Sequence, residues 1–140
     1  MAIVKKTYSE LIRLSNVINA YLEKNKDAEN KICASVKLVK KQLPKAFDEF
    51  NDLRDTAQIN NCAVDEKGII LKGADGGRQY TKEGEIKLKS DLKDLLNTEV
   101  ELHSRISEGI EDLIPLLTDD EKELFSELVI PKVEVQEENE

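Results

Sequence analysis

Very few residues in this chain carry side chains suited to covalent or metal chemistry. There is one histidine, His103, and two cysteines, Cys33 and Cys62. A nucleophilic dyad would have to join His103 to one of the thiols across 70 or 41 positions. No local pattern draws them together. Structural zinc needs three or four ligands at close spacing, such as Cys-x-x-Cys, and the chain has no such cluster. The loop Gly73-Ala74-Asp75-Gly76-Gly77-Arg78 sets backbone donors beside a cation, as a phosphate cradle would. It lacks the Gly-Lys-Ser/Thr ending of a nucleotide loop, and a hairpin connection accounts for it. The carboxylates Asp119, Asp120, Glu121 and Glu123 follow Thr118, so they form a capping box with acidic residues at the positive end of a helix. Asp65-Glu66-Lys67-Gly68 is a turn and not a calcium loop. The expectation is a non-enzymatic protein with no catalytic residue, no cofactor and no metal.

The elements around these residues carry a stronger signal. Ile32, Val36, Val39, Leu43, Ala46, Phe50, Leu53 and Ala57 are separated by 4, 3, 4, 3, 4, 3 and 4 positions. That is a heptad seam, and it must face another helix. Pro44 lies inside it. Because the phase is kept across Pro44, the expectation is one kinked helix, capped by Asp27. Before it, Thr7 or Ser9 can cap a first helix carrying Leu11, Leu14, Ile18, Tyr21 and Leu22, and Glu10, three residues after Thr7, would complete a capping box with it.

After the seam, residues 60–84 hold five of the six glycines. Residues 63–65 and 69–72 can pair as short strands around Gly68, and 78–80 form a third extended piece. A third helix opens at Thr81 and carries Ile86, Leu88, Leu92, Leu95 and Leu96. Residues 98–103 alternate polar and apolar. They are either a break with a short extended segment or part of a helix continuing to Ile114, and the sequence leaves both open. A short helix follows Thr118, Pro131 ends it, and 132–140 is expected to be a disordered acidic tail.

At 140 residues, without Trp and with 36% charged residues, the chain is expected to form one elongated domain over 1–131, with 60–84 as its tip. The fold class expected is mainly α: a long helical hairpin or coiled coil, a short β-hairpin at its tip and small C-terminal helices. The net charge is −8, with +3 in residues 1–60 and −11 in 61–140. That balance disfavours direct nucleic-acid binding. No apolar run reaches transmembrane length, and the cytoplasm is the expected compartment. Partners are therefore expected to be proteins. Val36, Val39, Leu43, Phe50 and Leu53 would pair copies through the 32–57 seam, as a dimer or higher oligomer. Ile69, Leu71 and Tyr80 would present the tip.

The layout as a whole is a helical front half, a Gly-rich hairpin with Asp65-Glu66-Lys67-Gly68, then Tyr80-Thr81-Lys82-Glu83 leading into a helix. Leu95-Leu96-Asn97-Thr98-Glu99-Val100-Glu101-Leu102 and a capped C-terminal helix complete it. This resembles small proteins of unassigned function encoded by tailed phages, over roughly residues 30–130. The resemblance implies a phage or prophage context, in host cytoplasm or virion, with an assembly or accessory role. It transfers no catalytic residue. The acidic second half supports an alternative: a regulator that docks on a nucleic-acid-processing enzyme through carboxylates such as Asp119, Asp120 and Glu121.

Overall fold

A computed structural model of the chain describes residues 3–107 and 109–131. The tail expected over 132–140 lies outside the described residues. The elements are β1 (Ile3–Thr7), α1 (Tyr8–Lys24), α2 (Lys31–Lys40), α3 (Leu43–Asn61), α4 (Lys82–Leu96), β2 (Glu99–His103), β3 (Arg105–Ser107), α5 (Asp119–Glu123) and β4 (Val129–Pro131). Two 3₁₀ turns, Ile110–Asp112 and Ile114–Leu116, precede α5, and a π-helical turn, Leu124–Leu128, follows it. The protein is mainly helical with a small antiparallel sheet, and no described helix is long and apolar enough to cross a membrane. The chain groups into two compact units, Met1–Pro44 with Glu99–Glu140, and Lys45–Thr98.

The first unit holds most of the buried apolar surface. Its α1 starts at the Thr7 capping box, where Thr7 Oγ1 accepts from the Glu10 N–H and Glu10 Oε1 accepts from the Thr7 N–H. Leu11, Leu14, Ile18 and Tyr21 then recur on one face and are buried. They meet Cys33, Val36 and Val39 of α2, Leu102 of β2 and Leu124, Phe125 and Leu128 beyond α5 in one core. Tyr21 and Phe125 pack edge to face with centroids 5.1 Å apart. Each large aliphatic side chain so buried stabilises the fold by about 1.5–3 kcal/mol.

β1 pairs antiparallel with β2, from Ile3↔His103 to Thr7↔Glu99, and β3 pairs parallel with β4. The segment 98–103 is thus extended. The alternation of Glu99, Glu101 and His103 outward with Leu102 inward overrides the helical reading.

Two expectations are corrected. The 32–57 seam is carried by two helices, α2 and α3, and not by one kinked helix. Pro44 is the second residue of α3, in the first turn, where its missing N–H costs no hydrogen bond. The N-cap of α2 is Asn30 and not Asp27: Asn30 Oδ1 accepts from the Cys33 N–H at 2.8 Å.

Candidate interaction site

The glycine-rich connector from α3 to α4 lies within the Lys45–Thr98 unit. It is built from an eight-residue repeat. Ala63, Leu71 and Gln79 stand eight apart, and their backbones close a ring: Ala63 N–H donates to Gln79 C=O, Gln79 N–H to Leu71 C=O, and Leu71 N–H to Ala63 C=O. The isolated bridges Val64↔Ile70 and Lys72↔Arg78 are also offset by eight. So are the turns, in which Gly68 N–H donates to Asp65 C=O and Gly76 N–H to Gly73 C=O. Gly68 and Gly76 both sit at φ +82°, where a side chain is strained. Gly84 holds the equivalent place in the third repeat. There the turn is replaced by the first turn of α4, with Thr81 Oγ1 accepting from the Gly84 N–H at 3.0 Å. The three extended pieces expected at 63–65, 69–72 and 78–80 are therefore joined in a closed set by these backbone bonds.

Arg78 fixes this tip to α3, and Asn61 joins α3 to α4 at its base. Arg78 donates to Gln58 Oε1 at 2.7 Å and lies 3.7 Å from Asp55 of α3. Asn61, the last residue of α3, donates to Ala57 C=O and to Asp91 Oδ2 of α4 at 2.8 Å. The Asn61 hydrogen bond, with Lys87 beside it, holds the Asp91 carboxyl below the usual range. Gly84 packs so closely that an added Cβ would overlap the Asn61 carbonyl oxygen. A depression of about 420 Å³ is lined by Gln58, Lys72, Gly76, Gly77, Arg78 and Tyr80. Its Arg78 is already engaged by Gln58 and Asp55, which opposes the phosphate-cradle reading of this loop.

The residues expected to make contacts divide sharply. Val36, Val39 and Leu43 are sealed in the core of the first unit, so that half of the seam is used inside the fold and is not free to pair copies. Phe50 is buried and Tyr80 half-buried. Leu53, Ile69 and Leu71 are exposed. Three exposed residues of the same unit were not anticipated: Ile59, Val64 and Ile86. The signal that could have found Ile59 and Ile86 is their place off the apolar stripe of each helix. No known protein family, curated protein or solved structure matches the chain.

The remaining chemical candidates lie elsewhere and are engaged structurally. Cys33 is buried beside Tyr21, and burial, with that thiol next to it, pushes the Tyr21 hydroxyl up to about 12. Cys62 Sγ donates to Ile59 C=O at 3.4 Å. His103 is exposed at the end of β2, its backbone bound by Gln42. Glu121 is buried in its capping box and paired with Lys24 at 2.7 Å, leaving Asp119 and Asp120 outward. Lys6, buried under the sheet, is surrounded by Glu123, Glu127 and Glu10. Among the described residues no group of three or more His, Cys, Asp or Glu side chains is arranged to hold a metal.

Proposed function

We propose that the protein is a non-enzymatic interaction protein that binds other protein surfaces through the Lys45–Thr98 unit, in an assembly or accessory role. One observation carries this reading. Of the apolar side chains buried among the described residues, only Ala46 and Phe50 belong to that unit, while Leu53, Ile59, Val64, Ile69, Leu71 and Ile86 are exposed in it. A unit of this size ordinarily needs a fuller core, a staple or a partner to be stable. It has no disulfide, since both cysteines are free. The first unit also exposes Ile3, Ile12, Leu38, Ile106 and Leu116 but buries a core beneath them, and it is the unit with exposed apolar residues and little core that needs a contact surface. The phage-type context rests on the layout resemblance alone, which implies host cytoplasm or a virion. The acidic-regulator alternative draws less support, because Glu121 is turned inward onto Lys24.

A photo-crosslinking amino acid placed at Ile69, and separately at Leu38 of α2 as an exposed control, tests the reading in the cell of origin. Protein adducts at position 69 and none at 38 are the expected result. Adducts at neither position, or equally at both, would overturn it.

A further inference from the structure

α3 and α4 each carry a second stripe, away from their apolar faces. On α3, Asp48, Asp52, Asp55 and Ile59 follow one another at spacings of 4, 3 and 4, and all four are exposed. On α4, Lys82, Ile86, Lys89 and Lys93 follow at 4, 3 and 4, and all four are exposed. At about 100° per residue each set falls on one helix face. The half-buried positions Gly84, Leu88, Asp91, Leu92 and Leu95 fall on a different face of α4. Buried Ala46, Phe50 and Asn61 likewise fall on a different face of α3. The unit thus shows an acidic stripe on α3, bordered by Lys45 and with Asp55 also near Arg78, and a basic stripe on α4, bordered by half-buried Leu96, each with one exposed isoleucine.

The two stripes are complementary in register as well as in sign. Run antiparallel, Asp48 meets Lys93, Asp52 meets Lys89, Asp55 meets Ile86 and Ile59 meets Lys82. The two isoleucines become diagonal neighbours, as do Asp55 and Lys82. We propose that this is a contact between copies: the acidic stripe of α3 in one molecule docks antiparallel on the basic stripe of α4 in the next. Charge complementarity selects a second copy as the occupant, since the same unit presents both halves of the match. An acidic stripe on one helix and a basic one on another make the contact heterologous, head to tail. The Asp–Lys pairs set the register, and the antiparallel direction is the one that makes the two isoleucines neighbours and buries them together. This deepens the interaction reading by naming the partner.

Charge reversal tests it by sedimentation velocity across a concentration series. The wild type should show a mass that rises with concentration above the 15.8 kDa of one chain. Lys89→Glu with Lys93→Glu makes both stripes acidic, and Asp48→Lys with Asp52→Lys makes both basic. Each double variant alone should sediment as a monomer. Mixed in equal amounts they should associate as the wild type does, because every contact is again acid on base. The Asp48/Asp52 variant brings the net charge from −8 to −4, so its loss of association cannot come from overall repulsion. All four residues are exposed, and unchanged circular dichroism confirms that the fold is kept. A monomeric wild type overturns the inference, as does association that survives reversal or a mixture that fails to recover. Crosslinked adducts to a different protein, with a monomeric wild type, would leave the interaction reading standing and remove this one.

Discussion

Gln42 binds both backbone groups of His103. Its Nε2 donates to the His103 carbonyl and its Oε1 accepts from the His103 N–H, each at 2.8 Å. The side-chain amide does for the outer edge of β2 what a neighbouring strand would do. It also sits in the two-residue gap between α2 and α3, so the gap and the end of β2 are fixed by the same residue. Gln42→Leu should cost roughly 1 kcal/mol in urea unfolding, the size of a hydrogen bond lost where water can partly replace it. Amide exchange at His103 should quicken in step. Unchanged exchange there would show that the pair contributes nothing.

Gly84→Ala is a test in which two effects oppose each other. By helix propensity alone, alanine in α4 should stabilise by about 1 kcal/mol. The added Cβ would overlap the Asn61 carbonyl oxygen, a backbone atom that cannot swing away. Overpacking of this kind costs about 1–3 kcal/mol, so the substitution should destabilise on balance. Ser90→Ala, exposed on the same helix, is the control and should be neutral or slightly stabilising. A stabilised Gly84→Ala would refute the close packing of α4 on the end of α3.

The eight-residue repeat makes a prediction about equivalence. Gly68 and Gly76 share φ +82°, and an added Cβ at either would have nothing within 4 Å. Their cost to alanine is therefore conformational alone, about 1–2 kcal/mol. Both should recover part of that loss as asparagine, which tolerates the left-handed region. Gly84 should not, because its constraint is space. If asparagine at 68 and 76 were no better than alanine in thermal unfolding, the two turns would not be strained as the repeat requires.

Much of this architecture is legible in the sequence, because it is local. The capping boxes at Thr7 and Thr118, the α1 stripe, the start of α4 after Thr81 and the glycine turns all follow from residues a few positions apart. What is missed depends on distant partners. β1 is five residues whose register is set by pairing with Glu99–His103, and nothing in Ile3-Val4-Lys5-Lys6-Thr7 announces that. The break between α2 and α3 leaves the heptad phase intact, since Pro44 in a first turn and Pro44 at a kink produce one spacing. In the gap Gln42 binds His103, 61 positions away, a contact that spacing cannot announce. Which half of the seam is covered is likewise decided by residues distant in sequence: Leu102 and Leu124 share the core that buries Val36 and Val39, while Leu53 is exposed. The eight-residue repeat is hidden because its copies share a glycine and almost nothing else.

The charges around Lys6 set how the first unit responds to pH. Lys6 is almost fully buried, and burial opposes its charge, but hydrogen bonds to Glu127 and Glu123 outweigh that and raise its pKa above 10.5. For Glu123 burial pushes upward and is outweighed by Lys6 and Arg13, so its carboxyl falls below 4.5. Glu10 falls below 4.5 chiefly through the Thr7 backbone N–H. A depressed carboxylate stabilises the fold above its unfolded value, and that stabilisation is lost as pH falls through its folded value. A raised lysine stabilises below 10.5, and that stabilisation is lost as pH rises through its folded value. Lys6→Met removes the cation and leaves carboxylates facing an apolar side chain, at a cost of about 1–3 kcal/mol at neutral pH. The gap to the wild type should therefore be widest between these limits. It should narrow as pH drops below 4.5, where protonated Glu123 no longer requires a cation, and again as pH rises from 10.5 through the raised folded value of Lys6. Urea unfolding of both proteins from acid to alkaline pH measures this directly. A gap independent of pH would mean that Lys6 acts by packing alone.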